Sequence, residues 1–230
     1  MKRFEDIKIV CCFMAHHDDD WIDEVLEDIS KYASEIYVNI HDALPYTAKK
    51  VKGHPKVKFW VETEDPTGRW DQGLQRDITI RLLDSVKPDI VLFPDSDELY
   101  PANMREQLKK FWEDEKAKTF WFRLLYMWGD RKHLRNDGLW KKIHHVRAYK
   151  WQLKIGYFPY AGYACPTTFI SLPRETRFHT DTGIQHLGYM TEESRQDKFA
   201  RNDKDYVGDE EFREKVDEKA LILDLPEELS

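Results

Sequence analysis

Asp89-Ile90-Val91-Leu92-Phe93-Pro94-Asp95-Ser96-Asp97-Glu98 is the stretch that decides the fold. Ile90 to Phe93 offer water no polar face, so they predict a strand buried on both sides, as in a parallel sheet. Pro94 ends the run, and Asp95, Asp97 and Glu98 follow it at once. In an open parallel sheet, ligands gather outside the carboxyl ends of the strands. An acidic cluster delivered there sits where a ligand would. The plain alternative is an acidic turn capping the next helix, with Asp97 or Glu98 near the helix start.

Upstream the same pattern repeats. Ile7 to Ala15 is nearly continuous apolar sequence and predicts a central strand, followed by the turn His16-His17-Asp18-Asp19-Asp20. Trp21, Ile22, Val25, Leu26 and Ile29 recur at helical spacing. Glu35 to Ile40 reads as a second strand ending at His41-Asp42, and Pro45 with Gly53-His54-Pro55 reads as a punctuated loop. Val57 to Val61 alternates as a third strand, closed by a turn at Asp65-Pro66-Thr67-Gly68. A helix from about Asp71 to Ser85 carries Leu74, Ile78, Leu82 and Leu83 on one side. This rhythm predicts an α/β fold, an open, mostly parallel, Rossmann-like central sheet flanked by helices. It also sets Asp18 to Asp20, Asp42 and Asp95 to Asp97 on one rim.

Downstream the pattern changes. Asn103 to Trp112 predicts a helix, and Thr119 to Trp128 and Leu139 to Trp151 are aromatic-rich strands, read as a hairpin around Gly129-Asp130 and Asn136-Asp137-Gly138. Tyr157 to Tyr163 is irregular and aromatic. A charged helix is expected from Glu192 to about Asp205, and the tail holding Leu221-Ile222-Leu223 is expected to be a further helix packed on the body.

The chain has 230 residues, 41% of them hydrophobic and 13% aromatic, enough for one substantial core in a single domain. Its net charge of −7 argues against duplex nucleic-acid binding as the main task, because that affinity comes from neutralising phosphates. A local basic strip, Arg131-Lys132-His133 through Lys141-Lys142, runs against the trend. Three cysteines, two of them adjacent, make no disulfide framework and read as buried thiols in a reducing compartment. The Ile7 to Ala15 run is too short for a membrane span and has no cleavage site behind it, so a cytoplasmic protein without a membrane span is expected.

Asp95 and Asp97 stand two apart in an extended segment, which projects both carboxylates to one side. Hard oxygen donors so placed suit Mg²⁺ or Mn²⁺, ions that complete their shell with water and substrate phosphates. Such an ion would bridge the diphosphate of a sugar nucleotide.

Ile90 to Glu98 resembles the VLFLDADE segment of glycosyltransferase family 2-like proteins with the GT-A fold. Arg69-Trp70-Asp71-Gln72-Gly73-Leu74-Gln75-Arg76-Asp77 is similar to their EGxQRN helix, and Gln185-His186-Leu187-Gly188-Tyr189 with Arg195, Lys198 and Arg201 to their closing HxGY stretch. The likeness covers about residues 7–205. It implies a GT-A type fold with a nucleotide-sugar-binding half over 1–100, an acceptor half with a smaller β region over 101–205, and a C-terminal helical tail over 206–230. It implies a hexosyltransferase that uses a nucleoside-diphosphate sugar, foremost a UDP-sugar, and a glycan or other hydroxyl acceptor. Viral enzymes that glycosylate DNA bases use related folds, which keeps a nucleic-acid acceptor in view.

Residue by residue, the resemblance makes Asp97 the metal ligand, with Asp95 on the metal, a metal-bound water or the ribose. It places His186 in the metal shell or on the diphosphate. Asp42 is matched to the acid that contacts the base or ribose, Arg76 to the arginine facing the phosphates or bracing the acidic segment, and Trp70 belongs to the same donor-side stretch. The family's first strand usually ends in Asn-Glu, where this chain has His16-His17-Asp18-Asp19-Asp20. An inverting enzyme also needs a carboxylate base. Asp181, in Phe178-His179-Thr180-Asp181-Thr182-Gly183, is the first choice and Asp137 the competitor, against a solvated turn aspartate. Trp121, Trp128, Trp140, Tyr157, Tyr160 and Tyr163 are candidates for a stacking floor or for core packing.

Two rivals stand beside this reading. Ala15-His16-His17-Asp18-Asp19 resembles the AHPDD motif of zinc-dependent N-acetylglucosamine deacetylases, with His17 in place of the proline. The other rival is a GT-A-like domain that binds a nucleotide or glycan without catalysis. The sequence leaves the oligomeric state, the donor sugar and the stereochemical course open.

Overall fold

The unbroken apolar run before His16 becomes the centre of the sheet. In the computed structural model, β1 (Ile9–Ala15) is buried along its whole length and pairs in parallel on both sides. Residues 2–16, 20–64, 72–136, 144–151, 173–196 and 222–225 are described, apart from the side chains of 72–74, 76, 77 and 181.

β2 (Glu35–His41) pairs with β1 on one side, β4 (Ile90–Leu92) on the other, and β3 (Val57–Thr63) lies outside β2. The order β3-β2-β1-β4 is parallel throughout, and the direction of chain travel reverses between β1 and β4. A crevice at such a reversal is the usual ligand position of a Rossmann-like sheet. Helices α1 (Ile22–Ile29), α2 (Pro45–Gly53) and α3 (Gln72–Arg81) link or flank these strands. Ile22, Val25, Leu26 and Ile29 of α1 are each at most 2% exposed, one stripe of the helix turned into the core. Each such burial stabilises by roughly 1.5–3 kcal/mol.

Beyond β4 the sheet becomes mixed. β8 (His144–Lys150) runs antiparallel to β4, and β6 (Thr119–Trp128) antiparallel to β8. β9 (Arg177–His186) pairs in parallel with β6 and antiparallel with the short β5 (Glu98–Leu99). β7 (Asp130–Arg135) folds back on β6 around Gly129, whose φ of 82° is a left-handed conformation that glycine adopts without steric cost. α4 (Met104–Glu113) lies between β5 and β6 in sequence. A parallel Rossmann-like half joined to a mixed half through an antiparallel strand is the α/β, GT-A type sheet that the sequence predicts.

The core splits across the sheet. Cys11, Phe13, Ile36 and Leu92 pack on one face with Phe111, Phe120 and Phe122, while Val10, Cys12, Val91, Phe93 and Tyr149 pack on the other. Adjacent cysteines point to opposite faces because side chains alternate along a strand, and each is fully buried.

Four local expectations are corrected. Residues 45–53 form a helix instead of a loop: Pro45 occupies its first turn, where a missing N–H is tolerated, and Thr47 and Val51, one turn apart, are both fully buried. The stretch Phe178 to Gly183 lies inside β9, so Asp181 is a strand residue and its expected turn is absent. The tail expected to be helical contains β10 (Ile222–Asp224), antiparallel to β7, where the outer edge of β7 offers unpaired backbone groups. The strands at 119–128 and 144–150 are antiparallel neighbours, but β7 intervenes in sequence and occupies the other edge of β6.

Candidate functional site

Past Leu92 the chain leaves β4 under tight control. Phe93 N–H donates to the Arg147 carbonyl at 3.0 Å, and Leu187 N–H donates to the Asp97 carbonyl at 2.8 Å. Glu98 then pairs with His186 in the β5–β9 ladder. The acidic segment is therefore stapled to β8 on one side and to the end of β9 on the other. It does not cap a helix: α4 begins at Met104, and its N-cap position is Asn103.

Arg147 organises the acids. Its guanidinium Nη2 donates to Asp95 Oδ2 and to Glu98 Oε1, both at 2.6 Å, and its Nε donates to Glu98 Oε2. Asp95 N–H also donates to Glu98 Oε2, at 3.0 Å. Arg147 is 1% exposed and Glu98 0%, so this is a buried charge cluster with a fork-to-fork arginine–carboxylate pair at its heart. Burial pushes the Glu98 carboxyl up, and the Arg147 guanidinium acts against that shift. Tyr100 Oη–H closes the shell with a 3.0 Å bond to the Arg147 carbonyl.

The second acid faces elsewhere. Asp97 is 6% exposed, and its Oδ1 lies 3.8 Å from His186 Nε2. Tyr126 and Tyr189 flank the imidazole, with ring centroids at 5.0 and 5.5 Å. Burial pushes the Tyr126 phenol upward, which keeps its hydroxyl protonated as a neutral donor. One carboxylate and one imidazole fit a divalent ion that keeps its other positions for water and phosphate oxygens. The Asp95 oxygen held by Arg147 is less suited to direct coordination. Among the described residues, no group of three or more His, Cys, Asp or Glu side chains is gathered into a complete metal cage.

The ends of β1, β2 and β3 carry a different network on the same rim. Asn39 Nδ2 donates to Gln75 Oε1 at 2.8 Å, and Thr63 Oγ1 lies 2.8 Å from Asn39 Oδ1 and 3.0 Å from Gln75 Oε1. His41 Nδ1 is 2.9 Å from the same hydroxyl. His16 Nδ1 lies 2.7 Å from the His41 carbonyl; a carbonyl only accepts, so that nitrogen carries the proton. Asp42 follows with φ 45°, a left-handed conformation that aspartate tolerates, and its Oδ2 is 3.2 Å from His41 Nε2.

Of the residues singled out from sequence, the structure brings Asp97 beside His186, turns Asp95 to Arg147 instead, and sets Asp42 further along the same rim, at the end of β2. Arg76 is in α3 and Asp181 in β9, with side chains outside the described residues. Trp70, Asp137, His17 to Asp19, Trp140, Tyr157, Tyr160, Tyr163, Lys198 and Arg201 also lie outside them. Trp121 and Trp128 are covered by arginines of the chain itself: Arg177 stands 4.7 Å over Trp121, while Arg195 and Arg135 stand 4.5 and 4.9 Å over Trp128. In the described part of the basic strip Arg131 is engaged by Glu24, and the His133 ring nitrogens lie 2.7 Å from Asp130 Oδ1 and 3.4 Å from Asp224 Oδ1.

Sequence reading missed Arg147 and the Asn39–Gln75 network. Arg147 did leave a signal: an arginine set between the apolar residues Val146 and Ala148 of a strand calls for an acidic partner if that run is buried. Nothing in the spacing of Asn39, Thr63 and Gln75 announces that they meet.

No protein-family model and no curated protein matches the sequence. Several solved structures overlap part of it. The TarS structure from S. aureus is 15% identical over 66% of this chain and 30% of its own, with a TM-score of 0.46. The glucosyl-3-phosphoglycerate synthase from Mycobacterium tuberculosis, in complex with Mg²⁺ and uridine diphosphate, is 18% identical over 53% of this chain and 44% of its own, with a TM-score of 0.39. The 4-diphosphocytidyl-2C-methyl-D-erythritol synthase from Anaerococcus prevotii is 11% identical over 65% of this chain and 72% of its own, with a TM-score of 0.41. The overlap spans less than half the length of the first two. By its own strand order and rim, this chain is a Rossmann-like α/β protein of GT-A type whose acidic Asp95–Glu98 segment is anchored where the strand order reverses.

Proposed function

We propose that the chain is a cytoplasmic hexosyltransferase that moves a sugar from a nucleoside-diphosphate sugar, foremost a UDP-sugar, to a hydroxyl of a glycan or similar acceptor, with Mn²⁺ or Mg²⁺ as cofactor. The observation that carries this reading is the approach of His186 Nε2 to Asp97 Oδ1, 3.8 Å apart beside the reversal point of the parallel strands. In this reading Asp97 and His186 hold the ion. When bound, the ion neutralises charge on the departing diphosphate. Asp95, oriented by Arg147, faces the ribose or a metal-bound water. Asp42, Arg76 and Trp70 belong to the donor side, and Asp181 takes the acceptor proton, with Asp137 as the alternative base. A nucleic-acid acceptor draws no support from Arg131, which Glu24 engages.

Calorimetric titration with UDP and Mn²⁺ tests the site. Asp97→Ala is expected to abolish metal-dependent binding while the thermal melt stays cooperative; unchanged binding would rule the site out. Asp181→Asn is expected to spare that binding and to cut turnover by about 10²–10⁴-fold, the usual contribution of a positioned base. Hydrolysis of a panel of sugar nucleotides with Mn²⁺, absent in Asp97→Ala, separates a transferase from a domain that only binds.

A further inference from the structure

β3 is the last strand of its sheet, and none of the described residues pairs with its outer side. Asp42 N–H donates to the Thr63 carbonyl at 3.1 Å, so the backbone of Thr63 faces β2. Peptide groups alternate along a strand. Phe59 and Val61 therefore face β2 as well, and the N–H and C=O of Trp60 and Glu62 point off the edge; before Phe59 the register against β2 shifts by one residue, at Lys58.

Proteins usually blunt or cover an edge of this kind. Here Phe59 is 51% exposed and Trp60 38%, and at the start of the neighbouring α2 Leu44 and Tyr46 are 41% and 45% exposed. These are four of the five exposed large hydrophobic side chains among the described residues. Tyr46 is turned to Asp23 of α1, away from β3, but Phe59 and Trp60 are neighbours on the open edge itself; adjacent aromatic exposure there marks a contact surface, since scattered single exposures are the ordinary case.

The edge sequence specifies its partner. Lys58-Phe59-Trp60-Val61-Glu62 is self-complementary about Trp60. A two-fold axis there sets two copies antiparallel, with Lys58 opposite Glu62, Phe59 opposite Val61 and Trp60 opposite Trp60. In this register the outward-facing Trp60 residues of the two copies oppose one another and exchange their backbone hydrogen bonds. A slip of one residue would set outward-facing groups against inward-facing ones. The opposite charges and the paired aromatics are the cross-strand pairs that stabilise antiparallel edges. Glu62 already holds Lys52 of α2 at 2.8 Å, yet its side chain is 58% exposed and has room for the partner subunit's Lys58.

We propose that β3 is the two-fold interface of a homodimer in which two copies join edge to edge into one continuous sheet. Analytical ultracentrifugation of the full chain tests this. The wild type is expected to sediment as a dimer that dissociates on dilution. Lys58→Glu places like charges opposite each other twice and is expected to weaken dimerisation by about tenfold or more. The exchange Lys58→Glu with Glu62→Lys is expected to restore it. Trp60→Pro removes an N–H that only the partner would use, leaves the β2 ladder its bonds, and is expected to give a folded monomer by circular dichroism. A wild type that is monomeric at every soluble concentration overturns the proposal. So does a dimer indifferent to Lys58→Glu, or a loss that the charge exchange fails to restore. Exchange-protected amides at Trp60 and Glu62 in a monomer would assign the edge to another segment of the same chain, and would also overturn it.

Discussion

Two parts of one rim, separated only by the end of β1, are finished in opposite ways. After β4 the chain is held by charge: Arg147 grips Glu98 and Asp95 inside the protein. After β2 and β3 it is held by neutral groups, with Asn39, Thr63 and Gln75 sharing hydrogen bonds beneath Asp42. A buried charge pair costs desolvation to form but breaks at great cost, because one ion is left alone in low dielectric. A neutral network costs less to form and less to break. The segment assigned to the diphosphate therefore has the stiffer support, and the segment assigned to the nucleoside has the softer one.

The largest expected effect tests the charged side. Arg147→Met removes the guanidinium and leaves Glu98 buried without it, so stability at neutral pH is expected to fall by about 3–5 kcal/mol in urea denaturation. The pH dependence carries a sign. Burial already raises the Glu98 carboxyl, and without Arg147 that shift is less opposed. A raised carboxyl favours the fold below the ordinary carboxylate range and loses that contribution as pH rises through the raised value. The variant is therefore expected to regain stability, relative to wild type, on acidification toward about pH 4. A deficit independent of pH would show that lost packing, not stranded charge, is responsible.

Asn39→Ala probes the neutral side. It takes the donor from Gln75 Oε1 and an acceptor from the Thr63 hydroxyl, and is expected to cost about 1–2 kcal/mol in the same measurement. A loss as large as that of Arg147→Met would erase the distinction between the two supports. The smallest effect belongs to an exposed pair used as a reference. Arg131→Gln breaks the bond to Glu24, both side chains being more than 40% exposed, and should cost less than about 1 kcal/mol, a difference that added salt narrows.

How legible all this was depends on the kind of signal. Buried parallel strands stand out because both faces must be apolar, so β1, β2 and β4 were plain in the sequence. α2 was hidden because Pro45 is as much a turn residue as a first-turn helix residue, and only burial of Thr47 and Val51 decides between the two. β7 and β10 were hidden because Asp130-Arg131-Lys132-His133-Leu134-Arg135 has no strand-like alternation, and its pairing is settled by the neighbours it meets. Asp95 and Asp97 were legible as neighbours. The approach of His186 to Asp97 rested on family resemblance alone, because no local rule joins residues so far apart in the chain.

The sequence by itself determined a parallel α/β half and an acidic segment at the end of its fourth strand, since hydrophobic periodicity and an i, i+2 carboxylate pair are local properties. Only the tertiary structure decided which acid is held and which is turned to the imidazole. That choice depends on Arg147 arriving from β8 and His186 from β9, and the energy of a buried charge is set by whatever the fold brings beside it.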